Sequence, residues 1–376
     1  MKIGVVREIK NSENRVAIIP SAVGTFLRAG HEVYIEHNAG IGSGFTDEEY
    51  AKAGAVVEPK AADVWTKVDL LYKVKEIFPE EYQYLRKDLI IMTYIHSNAH
   101  RNETEALMAA KCPSIAFEDV SSDDPGRRWP LVANMGELAG KGGFLAAAYY
   151  AQSVHGGPGL MLNNVCGVDS PIITIIGCGY TGMGAAEMAA SLGNTVKMLD
   201  LDFVSMDRAK TKLANSNISF LYSNRENILD CIKISDVVIN CVLWPKTRKD
   251  HLIYKEDLKL MKPGSMIIDV ACDDGGAVET CRSTTHEDPV YYVDGILHYA
   301  VDNIPSAFSK SSSTRFCNDS LPYVLEVANK GLVQALKDNK HLRRGLTTYD
   351  GTLCMMETVE KLGIPGVDPD EFVASL

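Results

Sequence analysis

Apolar residues fall along this chain in short runs of strand length, and stretches with a helical period near 3.6 separate them. In the first third the pattern predicts strands over 2–7, 31–37, 69–75, 89–96 and 114–118, with helices between them, for example over 21–29 and 103–111. Alternating β and α elements imply a parallel sheet with helices on both faces. A turn-rich break, SSDDPGRRWP at 121–130, closes this block. A helix of small residues over 137–150 follows and stops near His155-Gly156-Gly157-Pro158, as expected of a connector between domains.

The middle third repeats the alternation. Residues 172–176 form a wholly apolar strand of the kind buried on both faces, and strands over 195–199, 218–222, 237–242 and 266–270 follow. Helices over 207–215 and 255–261 separate them. Beyond about residue 306 the pattern is mainly helical, over 322–338 and 351–362, and is expected to return to the first domain. With 376 residues, the chain is too long for one ordinary hydrophobic core. Two domains are therefore expected, one built from 1–128 with 307–376 and the other from 129–306.

Composition narrows the classes of function. The net charge of -11 repels phosphate backbones, which speaks against nucleic acid as a partner. Basic pairs such as Arg127-Arg128 and Arg343-Arg344 read as solvated faces. The nine cysteines have no CxxC spacing, so reduced thiols and no metal site are expected. MKIGVVREIK carries no apolar leader core, and no run reaches the ~18 apolar residues of a membrane span. The expected location is the cytoplasm.

Chemistry enters at Gly177-Cys178-Gly179-Tyr180-Thr181-Gly182, a GxGxxG run. It leaves an apolar strand, opens a helix of small residues, and precedes a second strand ending in Asp200. In this context Gly177 permits the tight turn, Gly179 admits a pyrophosphate, and Gly182 lets helix and strand pack closely. The N–H groups at the helix start attract phosphate. Asp200, 18 residues after Gly182, suits ribose hydroxyls and repels a 2′-phosphate, so NAD is expected rather than NADP. Residues 129–306 are accordingly the expected NAD-binding domain, and the other domain is expected to hold the substrate.

Ligands of open parallel sheets gather beyond the carboxyl ends of the strands. Four polar groups follow apolar runs there: Arg15 after the first strand, Lys75 ending VDLLYKVK, His96 ending LIIMTYIH and Asp273 ending MIIDVACD. Arg15 and Lys75 suit a carboxylate, the first as a fork and the second as a point charge. Their structural alternative is a surface cation paired with Glu8 or Glu76. His96 suits proton transfer near neutral pH, against the alternative of a satisfied core histidine. Asp273, before Asp274-Gly275-Gly276, is an acid in a pliant loop, or else an Asx turn.

These segments resemble alanine dehydrogenase, in the group that also holds the nucleotide-binding subunit of transhydrogenase. The likeness runs through MKIGVVREIKNSENRVAIIP, GHEVYIEHNAGIGSGFTDEEY, DLLYKVKE, PLVANMGELAG, IIGCGYTGMGAA, MKPGSMIIDVACDDGG and LPYVLEVANKG. It implies two doubly wound, Rossmann-like parallel-sheet domains with the active site in the cleft between them, and a homo-hexamer. It also implies that Arg15 and Lys75 hold the substrate carboxylate, that His96 and Asp273 handle protons, and that Asn303 lies beside nicotinamide and substrate. The activity implied is reversible, NAD-dependent oxidative deamination of L-alanine. Three positions depart from the family pattern: Gly136 lacks a hydroxyl contact to the cofactor, Ser97-Asn98 is more polar than usual, and Asp302 adds a carboxylate beside Asn303. The VDN-Pro pattern is similar to saccharopine dehydrogenases, so reductive condensation of a 2-oxo acid with a larger amino acid is the alternative. A transhydrogenase subunit and a pure NAD-binding regulator are the rivals outside that class.

Overall fold

A computed structural model describes residues 1–124, 127–214, 216–245, 248–272 and 274–376. The strands in chain order are β1 (Lys2–Val5), β2 (Glu32–Glu36), β3 (Val56–Glu58), β4 (Leu70–Tyr72), β5 (Ile90–Thr93), β6 (Ser114–Ala116), β7 (Ile172–Ile176), β8 (Thr195–Asp200), β9 (Ile218–Tyr222), β10 (Val237–Asn240), β11 (Met266–Asp269), β12 (Val290–Val293), β13 (Ile296–Tyr299), β14 (Leu346–Tyr349) and β15 (Thr352–Leu353). The chain divides into two compact units, Met1–Asn134 with Ser306–Leu376, and Met135–Pro305. The boundaries expected from sequence stand at 128/129 and 306/307.

The first unit holds an eight-stranded sheet among the described residues, ordered β15-β14-β6-β5-β4-β1-β2-β3. From β6 to β3 every neighbour is parallel, with Ile3 opposite Leu70 and Leu71 opposite Ile91. Because β1, β4 and β5 are adjacent, the loops leaving their carboxyl ends start side by side. Trp65, Val68, Leu71, Ile91 and Leu107 pack one core of this unit. The rings of Tyr72, Tyr94, Phe117 and Phe316 lie within 5.4–5.9 Å of one another in pairs, a separation that favours tilted aromatic contact.

The second unit holds a seven-stranded sheet, again among the described residues, ordered β12-β13-β11-β10-β7-β8-β9. Order reverses between β7 and β10, which opens the crevice where doubly wound sheets bind ligands. Ile176, Leu199, Val238 and Ile267 belong to its core.

The sheets are parallel in the main and antiparallel at one edge, where an all-parallel pattern was expected. β12 pairs antiparallel with β13 and β14 with β15, and β14 also runs antiparallel to β6. Both hairpins turn on Asp-Gly: Asp294-Gly295 with φ of 48° and 81°, and Asp350-Gly351 with φ of 45° and 84°. Two successive positive φ values make the mirror-image turn that fits strand twist, and Asp-Gly adopts it at little strain.

Several elements shift from their expected bounds. Residues 322–338 form two helices, Ser309–Lys330 and Leu332–Asp338, because Gly331 adopts φ 76° and ψ 156° and breaks the ladder. The serine-rich start belongs to the first of them: Ser313 Oγ accepts the Val16 N–H at 2.9 Å, and Ser320 bonds the Phe316 carbonyl. Over 351–362 the helix begins only at Met356, since Gly351 turns the hairpin. Residues 255–260 wind as a 3₁₀ turn, where the Asp257 carboxylate takes the Tyr254 N–H at 2.7 Å and both guanidinium nitrogens of Arg225.

Candidate active site

In the first unit, the three adjacent strand ends bring Arg15, Lys75 and His96 into one electrostatic group. Arg15 is 4% exposed, and its guanidinium forks onto Glu13, Nε to Oε1 at 2.7 Å and Nη2 to Oε2 at 2.6 Å. Burial opposes the charge, but Glu13 outweighs it and pushes the pKa up, so Arg15 stays cationic. Glu13 therefore engages this guanidinium. Fixing one side of the fork sets the plane of the whole group.

Lys75 follows β4, and its Nζ lies 3.8 Å from Glu76 Oε2. Glu76 also binds Lys10 at 3.1 Å. Burial lowers the Lys75 pKa, Glu76 opposes this, and Lys10 and Arg15 add to the lowering. The cluster thus holds three cations against Glu13 and Glu76, a field that attracts a small carboxylate. Beneath it Lys73, fully buried, sits 2.7 Å from Glu81 and 3.3 Å from Glu8. Glu8 in turn accepts the N–H groups of Val74 and Lys75 at 2.7 and 3.3 Å, which fixes the backbone that carries Lys75.

His96 stands three residues past β5 with φ 51°, a left-handed geometry uncommon outside glycine. Glu118 holds it there: the carboxylate accepts the N–H groups of Ile95 and His96, and Oε1 lies 3.6 Å from His96 Nδ1. The His96 ring stacks on Tyr94 at 6.2 Å with 8° between planes. Nearly half of the side chain, 46%, is open. Burial of the rest and the nearby Lys75 still push its pKa down to about 4, so the neutral imidazole prevails at neutral pH. Burial drives the Glu118 carboxyl the other way, up to about 7.

Ser97 and Asn98 anchor the loop. Ser97 Oγ meets Thr358 Oγ1 at 2.7 Å in a buried contact, and Asn98 donates to Glu357 at 2.8 Å. Their polarity is matched by the helix Met356–Leu362.

In the second unit, Gly177 has φ 105°, and its N–H reaches Leu199 O at 2.7 Å. A Cβ on Gly182 would stand 1.8 Å from the Gly177 carbonyl oxygen, whereas one on Gly179 would meet nothing within 4 Å. Gly182 is therefore required for packing, and Gly179 faces open space at the start of the helix Tyr180–Ser191, which no side chain caps. This is the cradle a pyrophosphate needs, so the residues fit a dinucleotide. Asp200 Oδ2 accepts the Cys178 N–H at 2.5 Å and Oδ1 accepts the Asp202 N–H at 2.9 Å, which ties the glycine turn to the end of β8. A carboxylate has about four acceptor positions, so two remain for hydroxyls. Tyr180 carries Arg208 over its ring at 5.5 Å. Thr181 Oγ1 lies 3.0 Å from where a Cβ of residue 136 would stand, so a hydroxyl is present beside Gly136 after all.

Asp273 lies outside the described residues. The turn before it is pinned by Asp269, whose Oδ1 accepts Asn240 Nδ2 at 2.9 Å and the Cys272 N–H at 3.2 Å. A cavity of about 340 Å³ is lined here by Trp244, Cys272, Asp274 and Gly275, among others. Asn303, with φ 75°, offers its carbonyl to His286 Nε2 at 3.3 Å. Asp302 is exposed and donates its N–H to Thr284 O at 3.0 Å.

Sequence reading missed Glu13, Lys73, Glu81 and Glu118. Glu118 has no visible link to His96, 22 residues away, and Lys73 belongs to a type that is almost never fully buried.

Family models for the N-terminal and C-terminal domains described as "Alanine dehydrogenase/PNT" match residues 4–139 and 143–356. The chain belongs to the alanine dehydrogenase/PNT family. It is 41% identical over 352 residues to an alanine dehydrogenase of Methanococcus maripaludis, covering 93% of this chain and 94% of that one. It is 42% identical over 364 residues to one from Bacillus subtilis, with 96% and 95% covered. A solved L-alanine dehydrogenase shares 38% identity and superposes with a TM-score of 0.90 over 96% of this chain and 99% of that one. A transhydrogenase from Sinorhizobium meliloti, 22% identical with a TM-score of 0.80 over 94% and 98%, shares the fold. As in the sequence, no helix among the described residues is long and apolar enough to cross a membrane.

The glycine turn makes a separable prediction. Gly182→Ala should destabilise the protein by about 1–3 kcal/mol through overpacking. Gly179→Ala should leave its melting temperature unchanged and weaken binding of reduced NAD. Thermal melts and fluorescence titration read the two effects apart, and equal behaviour of the variants would refute the assignment.

Proposed function

We propose that this protein catalyses reversible oxidative deamination of L-alanine: alanine, NAD and water give pyruvate, ammonium, reduced NAD and a proton. The observation that carries the reading is the pair of cations Arg15 and Lys75 grouped with the neutral imidazole of His96 on the loops after three adjacent strands, in a chain about 40% identical to alanine dehydrogenases. The unit 1–134 with 306–376 is the substrate domain in this reading, and 135–305 holds NAD.

Arg15, presented by Glu13, grips the substrate carboxylate, and Lys75 supplies a second positive charge that fixes the orientation of Cα–H. The glycine turn and Asp200 would hold NAD, which would supply the acceptor for the hydride leaving Cα. Neutral His96 steers the substrate oxygen, taking its proton as the carbinolamine collapses to pyruvate and ammonia and returning it in the reverse direction. Asp273 is assigned to activating that water, and Asn303 to holding the substrate beside the ring, both on the family resemblance. Glu118 keeps His96 in its left-handed position. We further assign the protein to the cytoplasm as a homo-hexamer, on the same resemblance.

Formation of reduced NAD from alanine, followed at its absorbance band, tests the reaction. Turnover of lysine or ornithine with a 2-oxo acid and without ammonia would overturn it in favour of condensation. Cofactor choice has its own check. Asp200→Asn keeps an acceptor for the Cys178 N–H and removes the charge, so the preference for NAD over NADP should fall by roughly tenfold, about 1.4 kcal/mol. An unchanged preference would mean that Asp200 does not face the ribose.

A further inference from the structure

We propose that His100 relays protons between solvent and His96 during turnover. The inference rests on the deamination reading and adds a residue to it.

The proton balance creates the demand. In the reductive direction, pyruvate, ammonium, reduced NAD and one proton give alanine, NAD and water. Each turnover therefore draws one proton through the side chain that protonates the substrate. His96 gathers protons from water poorly, because its imidazole is held at about 4. At pH 8, hydronium arriving at a diffusion limit of ~10¹⁰ M⁻¹ s⁻¹ supplies on the order of 10² protons per second, within the range of ordinary turnover numbers. A second donor close by removes that limit.

His100 stands in the required place. Its ring is edge-on to that of His96, with centroids 6.4 Å apart and planes at 83°, so the two imidazoles are neighbours. Its Nδ1 is held 3.1 Å from the Ile95 carbonyl and 3.5 Å from Glu103 Oε2. That leaves Nε2, for which the structure shows no protein partner among the described residues, as the exchanging position. The side chain is 40% exposed, so it reaches both water and the site. Glu103 is 2% exposed and accepts the Ile77 N–H at 2.7 Å through its other oxygen, which fixes the carboxylate behind the ring.

Charge supports the direction of transfer. Glu103 raises the His100 pKa, burial opposes this, and the Ile95 carbonyl and Glu76 add to the rise. Glu103 thus biases His100 towards its protonated form, while burial and Lys75 bias His96 away from it. Of the other groups facing this corner, Tyr82 has its hydroxyl pKa pushed up by burial and then by Glu103, Lys75 and Lys10 act on His96, and Glu357 is taken by Asn98. Glu118 lies nearer His96 Nδ1, but its carboxylate is engaged by two backbone N–H groups and its side chain is only 13% exposed, against 40% for His100. The spacing between the two histidines is kept by the Ser97–Thr358 contact and by Thr104, whose hydroxyl donates to the Ser97 carbonyl at 3.1 Å.

The test is reductive amination of pyruvate at pH 8 in dilute buffer. His100→Gln should lower kcat by on the order of tenfold, less than the roughly 10²–10⁴-fold cost of losing a direct acid–base group. The KM for pyruvate should stay within about twofold, and added imidazole should restore kcat. Glu103→Gln removes the charge that raises His100, so the alkaline limb of kcat should move to lower pH. The double variant should show no such limb. A His100→Gln enzyme matching wild type at every buffer concentration would overturn the relay, as would a loss that imidazole fails to restore. Failure of the wild-type protein to use pyruvate and ammonium would instead strike the deamination reading itself.

Discussion

Replacing His96 with alanine is expected to lower kcat for alanine oxidation by roughly 10²–10⁴-fold, the cost of removing a group that exchanges protons with the reacting centre. The affinity for reduced NAD should hold, because the glycine turn, Asp200 and the helix start lie in the other unit. The KM for alanine should rise little, since the carboxylate is assigned to Arg15 and Lys75. Steady-state kinetics beside a fluorescence titration of reduced NAD measures both quantities. A loss below tenfold, or an equal fall in cofactor affinity, would remove His96 from the chemistry. Glu118→Gln makes the complementary point: an amide keeps one acceptor for the two N–H groups that hold His96 at φ 51°. It should therefore retain far more activity than His96→Ala.

The second large effect is on stability. Lys73→Met should destabilise the first unit by about 3–5 kcal/mol, because it leaves Glu8 and Glu81 buried without their shared cation. The sign of the pH dependence follows from the same loss. Burial already raises the Glu8 carboxyl against the opposing pull of Lys73, and removing that cation raises it further above its unfolded value. Folding then favours protonated Glu8, and the variant should recover stability as pH falls towards 5 and lose it as pH rises. Thermal melts of wild type and Lys73→Met between pH 5 and 8 test this. Equal melting temperatures at pH 8 would show that the triad contributes nothing. Because Glu8 also holds the N–H groups of Val74 and Lys75, the variant should raise the KM for alanine as well.

Much of the architecture was legible in local pattern. The apolar runs 172–176 and 89–96 predicted strands, the first of the kind buried on both faces, and β7 and β5 occupy those positions. GxGxxG between such a strand and a small-residue helix located the nucleotide turn, and the clash that a Cβ on Gly182 would make with Gly177 explains why the motif is so strict. The two Asp-Gly hairpins were equally local, since a positive-φ pair between alternating strands is a short-range signal. The pattern nonetheless reads as helix over 351–362 and predicts no strand after 270, so neither hairpin is expected from it. The break at Gly331 is of the same kind, whereas the helical start at Ser309 is not. Serine there is tolerated because Ser312, Ser313 and Ser320 face protein on a buried side.

By itself the sequence determined the period of each element, the glycine turn, and the presence of Arg15, Lys75 and His96 after apolar strands, because each follows from residues a few positions apart. Only the tertiary structure decided which partners those side chains have. Glu118 holds His96 from 22 residues away, and Lys73 is neutralised by carboxylates on two other segments. A charge in a low-dielectric interior is stable only beside a partner, and sheet order, which no local pattern records, sets which partners meet.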